Sequence, residues 1–274
     1  MSSFTLHLRT QGLTANERGW AIWQTYSEVR ALPAEAVALI ICDMWDAHWA
    51  RGAMERVAEM APRMNEVICA ARQQGAHIIH APSETLGFYA GSPARERMAQ
   101  YASAAGAGDP DAAPEDAQDG TTPGEATVPE VQADPALPID DSDGGSDTGE
   151  PPWWPAWTRQ HLAIEIDEAR DGISDDGDEI CAYLAAHDIR QALILGVHTN
   201  MCILNRPFGV KALVRRGVPV ALVRDLTDTM YNPARPPYVS HDEGTRLVIE
   251  YIEKFWCPTI MSRDLMRTHS SDEA

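Results

Sequence analysis

A cysteine stands at the point where one apolar run of this sequence gives way to a helix. In LILGVHTNMCI the apolar run stops at Gly196, and Cys202 follows a short turn. A thiol at a helix N-terminus lies near the positive end of the helix dipole, which favours the thiolate. The backbone amides around Met201 and Cys202 could then stabilise an oxyanion. The residue types suit nucleophilic catalysis, although a cysteine that only caps and packs this turn also fits the spacing.

An aspartate at the end of another apolar run is the candidate base for that thiol. AVALIICDMW, residues 36–45, has the pattern of a strand buried on both faces, and Asp43 ends its apolar part. Partial burial raises the pKa of a carboxyl group and suits it to take a thiol proton. The alternative is that Asp43 only binds the backbone of a neighbouring turn, and the spacing leaves both open.

Strand and helix patterns alternate around these two residues. The sequence predicts strands at 4–11, 36–45, 76–82, 161–166, 191–197, 218–226 and 257–262, and helices around 20–30 and at 51–75, 175–189, 202–217 and 241–256. Such alternation implies parallel pairing with right-handed crossovers. We therefore expect a doubly wound, three-layer α/β/α domain with a mainly parallel sheet of about six strands.

Polar residues that follow these strands should meet at one edge of the sheet. Ligands of open parallel sheets bind beyond the carboxyl ends of the strands. The candidates for the substrate pocket are Trp45, His48, His80, Asn200 and Arg206. Each of the three histidines near this edge, at 48, 80 and 198, either shares in proton transfer or has a structural, hydrogen-bonded role.

Arg206 lies one helical turn beyond the cysteine. It either faces the pocket, where it would bind an anionic substrate or lower the pKa of the thiol, or it forms a salt bridge with Asp225 or Asp228. The sequence does not separate these alternatives.

The charge of the chain is concentrated in one segment. The formal net charge is −19, and residues 101–150 contain thirteen acidic residues and no Lys or Arg. This segment has few large apolar residues, so we predict a disordered acidic insertion at 101–152 between two parts of one domain, 1–100 and 153–274. A lid over the substrate is the alternative role. The tryptophans of PPWWPAWTRQ should dock, either at an interface or on the same domain.

Several partners and compartments are disfavoured by composition. No basic stripe is available for nucleic acid, and no apolar window is long enough for a membrane span or a signal core. The five cysteines lack the spacing of a disulfide framework. We expect a cytoplasmic protein with a small-molecule substrate and neither a nucleic-acid nor a membrane partner.

Three motifs, ALIICDMWDAHW, LILGVHTNMCI and GVPVALVRDLTD, resemble those of the isochorismatase-like cysteine hydrolases, which include nicotinamidases, N-carbamoyl-amide hydrolases and isochorismatase. The resemblance spans about 36–90 and 160–230. It implies that Asp43 deprotonates Cys202, that the thiolate attacks a carbonyl group, and that water releases the acyl-enzyme. It also implies a cis peptide at Val197–His198, in the turn with Met201 that forms the oxyanion hole, and a homo-oligomer.

The sequence departs from this pattern at the lysine of catalytic members, whose position falls on Ala169. Lys211 and Lys254 are the only lysines of the chain, and their positions make neither a ready replacement. Arg170 could take the place of the lysine as an electrostatic helper, because an arginine does not release its proton.

Two further departures concern metal and substrate. No cofactor is expected, although Asp46, His48 and His80 have residue types that could bind Zn²⁺. Trp45 replaces a glutamine of the family, which predicts an altered pocket.

The first hypothesis is a hydrolase that cleaves an amide-like C–N bond through a thioester on Cys202. The missing lysine motivates a second, a non-hydrolytic member that binds a ligand or a partner. A third is isochorismatase-type, non-covalent chemistry that needs Asp43 but not Cys202.

Overall fold

One mixed sheet of eight strands organises the protein, for which a computed structural model describes residues 2–102, 134–153 and 156–266. The strands are β1 (Ser3–Ala15), β2 (Ala21–Pro33), β3 (Val37–Cys42), β4 (His77–Ala81), β5 (Gly172–Ile173), β6 (Gln191–Val197), β7 (Val220–Asp228) and β8 (Thr259–Ile260), in the order β2-β1-β8-β7-β6-β3-β4-β5. Strands β3 to β8 are parallel, whereas β1 is antiparallel to both neighbours. The mainly parallel α/β fold is confirmed, with two strands more than expected.

The strand order reverses between β3 and β6. The chain first builds β4 and β5 on one side of β3 and then returns to add β6 on the other. Cys42 at the end of β3 pairs with Gly196 near the end of β6. A Cβ on Gly196 would lie 2.0 Å from the carbonyl oxygen of Cys42, and its φ of +115° also requires glycine. The segments that follow β3 and β6 therefore begin side by side.

Helices cover both faces of the sheet. They are α1 (Arg51–Gln74), α2 (Pro93–Ala99), α3 (Gly177–Ala186), α4 (Cys202–Asn205), α5 (Val210–Arg215), α6 (His241–Phe255) and α7 (Arg263–Met266). Alternate residues of β3 point to opposite faces, so that Ile41 packs with Met64 of α1 whereas Ile40 packs with Leu184 of α3 and Ile252 of α6. The three-layer arrangement follows from this alternation.

Three predicted elements were wrong. Residues 21–30 belong to β2 and not to a helix. This strand pairs with β1 from Ala15↔Ala21 onward, because Asn16 accepts hydrogen bonds from the amides of Arg18 and Trp20 and closes a hairpin turn. Residues 161–166 form a turn held to α1, not a strand, since Glu165 donates its amide to Asn65. The single helix predicted at 202–217 is two helices, α4 and α5, interrupted where Pro207 has no amide hydrogen to donate.

The acidic insertion is ordered in its second half. Residues 103–133 lie outside the described residues, and the prediction of disorder is not tested there. Residues 134–153 pack on the domain, where Asp147 forms an ion pair with Arg56 and Asp134 pairs with Lys211. The prediction was wrong for this part because its carboxylates bind cationic groups of the domain, which composition alone does not show. No helix within the described residues is long and apolar enough to cross a bilayer.

Candidate active site

The fold brings Asp43 and Cys202 into contact. Asp43 follows β3 with a φ of +48°, an uncommon value for a residue with a side chain, and it is fully buried. Its Oδ1 accepts a hydrogen bond of 2.7 Å from the amide of Ser83, which follows β4. The thiol of Cys202, the first residue of α4, lies beside this carboxylate, near enough for each group to shift the pKa of the other. A carboxylate and a thiol from two different motifs therefore share one site.

Arg206 supplies the cation of this site. Its Nε donates to Oδ2 of Asp43 at 3.0 Å, and its Nη1 donates to Oε1 of Glu84 at 3.2 Å. The guanidinium also lies 6.0 Å from the ring centroid of Trp45. The break after α4 is what allows this, since Arg206 already leaves the helix with a ψ of 156°. Of the alternatives left open by the sequence, the structure shows Arg206 in the pocket.

The arginine and the two lysines considered for the lysine position, all within the described residues, are engaged elsewhere. Arg170 is exposed and forms an ion pair with Asp167, so the suggestion that it replaces the lysine was wrong. Lys211 binds Asp134, and Lys254 binds Glu250. Arg206 is thus the cation in contact with Asp43.

Burial controls the protonation of the site. Burial raises the pKa of Asp43 above its ordinary value, although Arg206 and Ser83 oppose the shift. Burial, together with the neighbouring charge of Asp43, also raises the pKa of Cys202. The expected preference for a thiolate was wrong because α4 is one turn long and its dipole does not offset these effects. The resting nucleophile is a thiol.

The turn between β6 and α4 has the expected cis peptide at Val197–His198. The amide of Met201 donates to the carbonyl of His198 at 3.0 Å, so its assignment to an oxyanion hole was wrong. The carbonyl of Val197 accepts from the thiol of Cys42. The amide of His198 lies near the sulfur of Cys202, where it lowers the pKa of the thiol.

Three nearly parallel rings form an aromatic wall beside the acid. Trp45 stacks on Trp157 with 3.9 Å between centroids, and His48 lies 5.6 Å from Trp157. Asp46 fastens the segment that carries Trp157, because it accepts hydrogen bonds from the amide and hydroxyl of Thr158. The sequence predicted that the tryptophans of PPWWPAWTRQ dock on a surface. This is confirmed for Trp157, which packs on its own domain.

Two predicted pocket residues have structural roles instead. His80 is fully buried, with Nδ1 2.9 Å from Oε1 of Gln160 and Nε2 3.1 Å from Oδ2 of Asp171. Asn200 is bound to the backbone of Met230 and to Asp141. These contacts satisfy both side chains, and their assignment to the substrate pocket was wrong.

The suggested zinc ligands do not converge. Asp46 binds Thr158, His80 binds Asp171, and His48 accepts a hydrogen bond from the amide of Ala50. Across the described parts of the chain, no group of three His, Cys, Asp or Glu side chains is arranged to hold a metal ion.

Sequence reasoning missed three contributors to the site: Ser83, Glu84 and Trp157. Ser83 and Glu84 directly follow β4, so their position at the carboxyl end of a parallel strand was the available signal. Ser83 acts through its backbone amide, which no side-chain pattern reveals.

Comparison with known proteins gives a likeness in fold. No family model and no curated protein matches the chain. A cysteine hydrolase from Pseudomonas syringae pv. phaseolicola 1448A is similar with a TM-score of 0.51 and 16% identity, over 86% of this chain and 93% of that one. An isochorismatase from Pseudomonas putida KT2440 has a TM-score of 0.48 and 12% identity, over 85% and 91%. The first of these shows that the chain shares the fold of a protein named as a cysteine hydrolase, in agreement with the α/β fold expected from the motifs.

Proposed function

We propose that this protein is a hydrolase that cleaves an amide-like C–N bond of a small molecule through a thioester on Cys202. One observation carries the proposal: the buried carboxylate of Asp43 contacts both the thiol of Cys202 and the guanidinium of Arg206. Nucleophile, base and orienting group are thus in direct contact, as covalent catalysis requires. The likeness to a structure named as a cysteine hydrolase supports the fold on which this site is built.

The protonation state assigns the roles. Because Cys202 rests as a thiol, its proton moves to Asp43 as the sulfur attacks the carbonyl carbon. The raised pKa of Asp43 brings this carboxylate closer to the value that an efficient base needs near neutral pH. Arg206 keeps its charge throughout, since a guanidinium does not titrate, and it balances the negative charge of Asp43. It takes the electrostatic role that the absent lysine left open and carries no proton.

The remaining steps use the same groups. Asp43 gives its proton to the departing nitrogen as the C–N bond breaks, and the acyl group stays on the sulfur. Water then attacks the thioester carbon while Asp43 takes its proton, and that proton returns to the sulfur when the C–S bond breaks. The amide of His198, beside the sulfur, stabilises the oxyanion of each tetrahedral intermediate.

An activated ester tests this chemistry without knowledge of the natural substrate. p-Nitrophenyl acetate should release a burst of nitrophenol, and intact-mass and peptide spectra should locate one acetyl group on Cys202. Asp43→Asn should slow the burst, and Cys202→Ala should abolish it. Cys181→Ser, a change at a partly buried cysteine of α3, is the matched control and should leave the burst intact.

The two alternative functions predict different results for the same protein variants. A protein that binds a ligand without hydrolysis would show no acetyl group on Cys202. Isochorismatase-type chemistry would survive Cys202→Ala but not Asp43→Asn when vinyl ethers are offered as substrates. Either result would contradict the thioester mechanism.

A homo-oligomer remains a prediction. The outer strand β2 exposes apolar side chains, with Tyr26 47% and Val29 63% exposed, and exposed apolar strand edges favour pairing between chains. Sedimentation equilibrium over a range of concentrations should show association.

The cytoplasmic location is likewise a prediction, and detection of all five cysteines as free thiols in freshly isolated protein would support it.

A further inference from the structure

A short strap of ordered chain crosses the edge of the sheet at which the candidate site lies. We define the strap as residues 140–150, the part of the acidic insertion that reads DDSDGGSDTGE. It contacts the segments that follow three central strands, namely the start of α1 after β3, the turn after β6 and the loop after β7. The motifs that carry the family resemblance lie at 36–90 and 160–230, so they assign no role to the strap.

Ion pairs fasten the strap near both of its ends. At its start, the carboxylate of Asp140 is paired with Arg235 of the loop after β7. Toward its end, Asp147 forms an ion pair of 2.7 Å with Arg56 of α1, and both side chains are largely shielded from solvent, at 17% and 25% exposed. The middle of the strap is thus held between two fixed points.

The middle of the strap packs closely against the backbone of the loop after β7. Gly145 is buried with a φ of +76°, and a Cβ there would lie 2.4 Å from the carbonyl oxygen of Met230. Glycine is the residue that permits such an approach. The same carbonyl accepts a hydrogen bond of 3.1 Å from Nδ2 of Asn200, in the turn after β6. The strap, the loop and the turn therefore meet at one point.

Asp141 makes the direct contact between the strap and the turn that carries the thiol. Its Oδ2 accepts a hydrogen bond of 2.7 Å from Nδ2 of Asn200. The remaining bonds of this amide group join the backbone of Met230, whose amide donates to Oδ1 at 3.0 Å and whose carbonyl accepts from Nδ2. Asn200 is only 1% exposed. A hydrogen bond to a carboxylate is roughly twice as strong as one between neutral groups, so the Asp141 contact is the strongest of the three.

The turn after β6 depends on such outside contacts because the helix that follows it is short. α4 has four residues, and so short a helix does not by itself hold its first residue in place. On one side of the turn, the amide of Thr199 donates to the carbonyl of Asp228 at 2.8 Å. On the other side, Asn200 is held by Asp141. These two contacts fix the backbone directly before Cys202.

We propose that Asp141 is a positioning residue of the hydrolase, and that the strap holds the thiol of Cys202 against Asp43 through the side chain of Asn200. This inference rests on the proposed function and adds to it a part of the chain outside the family motifs. Asp141 takes no part in proton transfer and acts on the sulfur through Asn200. A misplacement of about 1 Å caused by a mutation far from the chemistry can cost 10²-fold in rate, so a contact at this distance has a measurable effect.

Removal of the acceptor should slow the chemistry. In Asp141→Ala, acylation of Cys202 by p-nitrophenyl acetate should slow about tenfold or more, because the thiol and its base are no longer held together. Asp141→Asn keeps an oxygen that accepts from Asn200 and should acylate within about threefold of wild type. Asp134→Ala is the matched control. It removes a carboxylate from the same ordered segment, where Asp134 binds Lys211, and should leave the rate unchanged.

A second reagent separates positioning from a general loss of stability. Burial and the charge of Asp43 both raise the pKa of Cys202, so a thiol displaced from these surroundings should titrate at lower pH. The pH midpoint of alkylation by iodoacetamide should therefore fall by about one pH unit or more in Asp141→Ala, although acylation slows. A variant that is only less stable would keep the wild-type midpoint in its folded fraction.

A double-mutant cycle shows whether Asp141 acts through Asn200. Asn200→Ala alone should slow acylation at least as much as Asp141→Ala does. Addition of Asp141→Ala to Asn200→Ala should then change the rate by less than about twofold, because the contact is already lost. Independent effects that multiply in the double variant would contradict the inference.

The outcomes separate this inference from the proposed function. If wild type forms no acetyl-Cys202, the proposed function fails, and the alkylation midpoint decides on positioning: a fall in Asp141→Ala supports it and an unchanged midpoint refutes it. If wild type is acylated and Asp141→Ala matches it in both reactions, the thioester mechanism stands and the positioning role is refuted.

The test also covers a failure to fold. Asp141 is only partly buried, so Asp141→Ala should fold. If it does not, Asp141→Leu takes its place, because this change keeps the bulk of the side chain but accepts no hydrogen bond. Failure of both variants to fold would overturn the inference, since Asp141 would then be needed for folding and not for the placement of the thiol.

Discussion

Arg206 donates a hydrogen bond to Asp43 although 163 residues separate them in the chain. Asp43 is completely buried, whereas the side chain of Arg206 is 23% exposed. A buried carboxylate needs a nearby cation to remain ionised. The pair therefore determines whether the proposed base is charged when substrate arrives.

Loss of this cation should shift the pH profile. Burial already raises the pKa of Asp43 and Arg206 lowers it, so Arg206→Met should raise that pKa further. Because the base must be deprotonated, the acid limb of acylation by p-nitrophenyl acetate should move to higher pH. The rate at neutral pH should fall by about 10²-fold or more, and Arg206→Lys should recover part of it. An acid limb that stays at the wild-type pH in Arg206→Met would contradict this role.

Asp43→Asn should change two reactions of Cys202 in opposite directions. The neighbouring charge of Asp43 raises the pKa of the thiol, so its removal should lower that pKa and speed alkylation by iodoacetamide. Acylation should slow by about 10²- to 10⁴-fold, because the base is gone. Parallel pH–rate curves for the two reagents measure this. If alkylation and acylation both slowed, Asp43 would be promoting the thiolate before acylation begins, which would contradict this prediction.

Gly196 should be intolerant of any side chain. In Gly196→Ala the new Cβ would lie 2.0 Å from the carbonyl oxygen of Cys42, between the two central strands. We expect a loss of more than about 4 kcal/mol in the free energy of unfolding, or failure to fold. The matched control is Gly91→Ala, at a φ of +79° with no atom within 4 Å, which should cost about 1–2 kcal/mol. Urea unfolding of both variants distinguishes steric conflict from backbone strain.

The cluster around His80 should affect stability and not chemistry. Arg72 holds Asp171, which binds His80, and the side chains of Arg72 and Asp171 are 4% and 1% exposed. Arg72→Met would leave that carboxylate buried without a cation, at a cost of about 3–5 kcal/mol. The exposed Arg63→Met should stay within about 0.5 kcal/mol of wild type. Unfolding measurements on both variants test the loss of stability. The rate of Cys202 acylation in folded Arg72→Met protein tests whether the chemistry is unchanged, and a large fall in that rate would place His80 back in the site.

The motifs predicted the two chemical groups because their signals are local. Asp43 ends an apolar run, and Cys202 follows another, so parallel pairing of those runs was enough to bring them to one edge. The hairpin of β1 and β2 was harder to predict, since the apolar residues of 20–30 fit a helical face as well as a strand. The packing of residues 134–153 depends on ion pairs with distant arginines and lysines, which composition does not contain.

The sequence by itself determined the central strands β3, β4, β6 and β7, the helices α1, α3 and α6, the acid and the thiol. Each of these follows from the apolar periodicity of a short segment or from one residue at the end of such a segment. Only the tertiary structure decided which cation meets Asp43, that Trp157 stacks on Trp45, and that the thiol is protonated at rest. Those outcomes depend on burial and on contacts between residues far apart in the chain, and the dielectric surroundings of a charge exist only after the chain has folded.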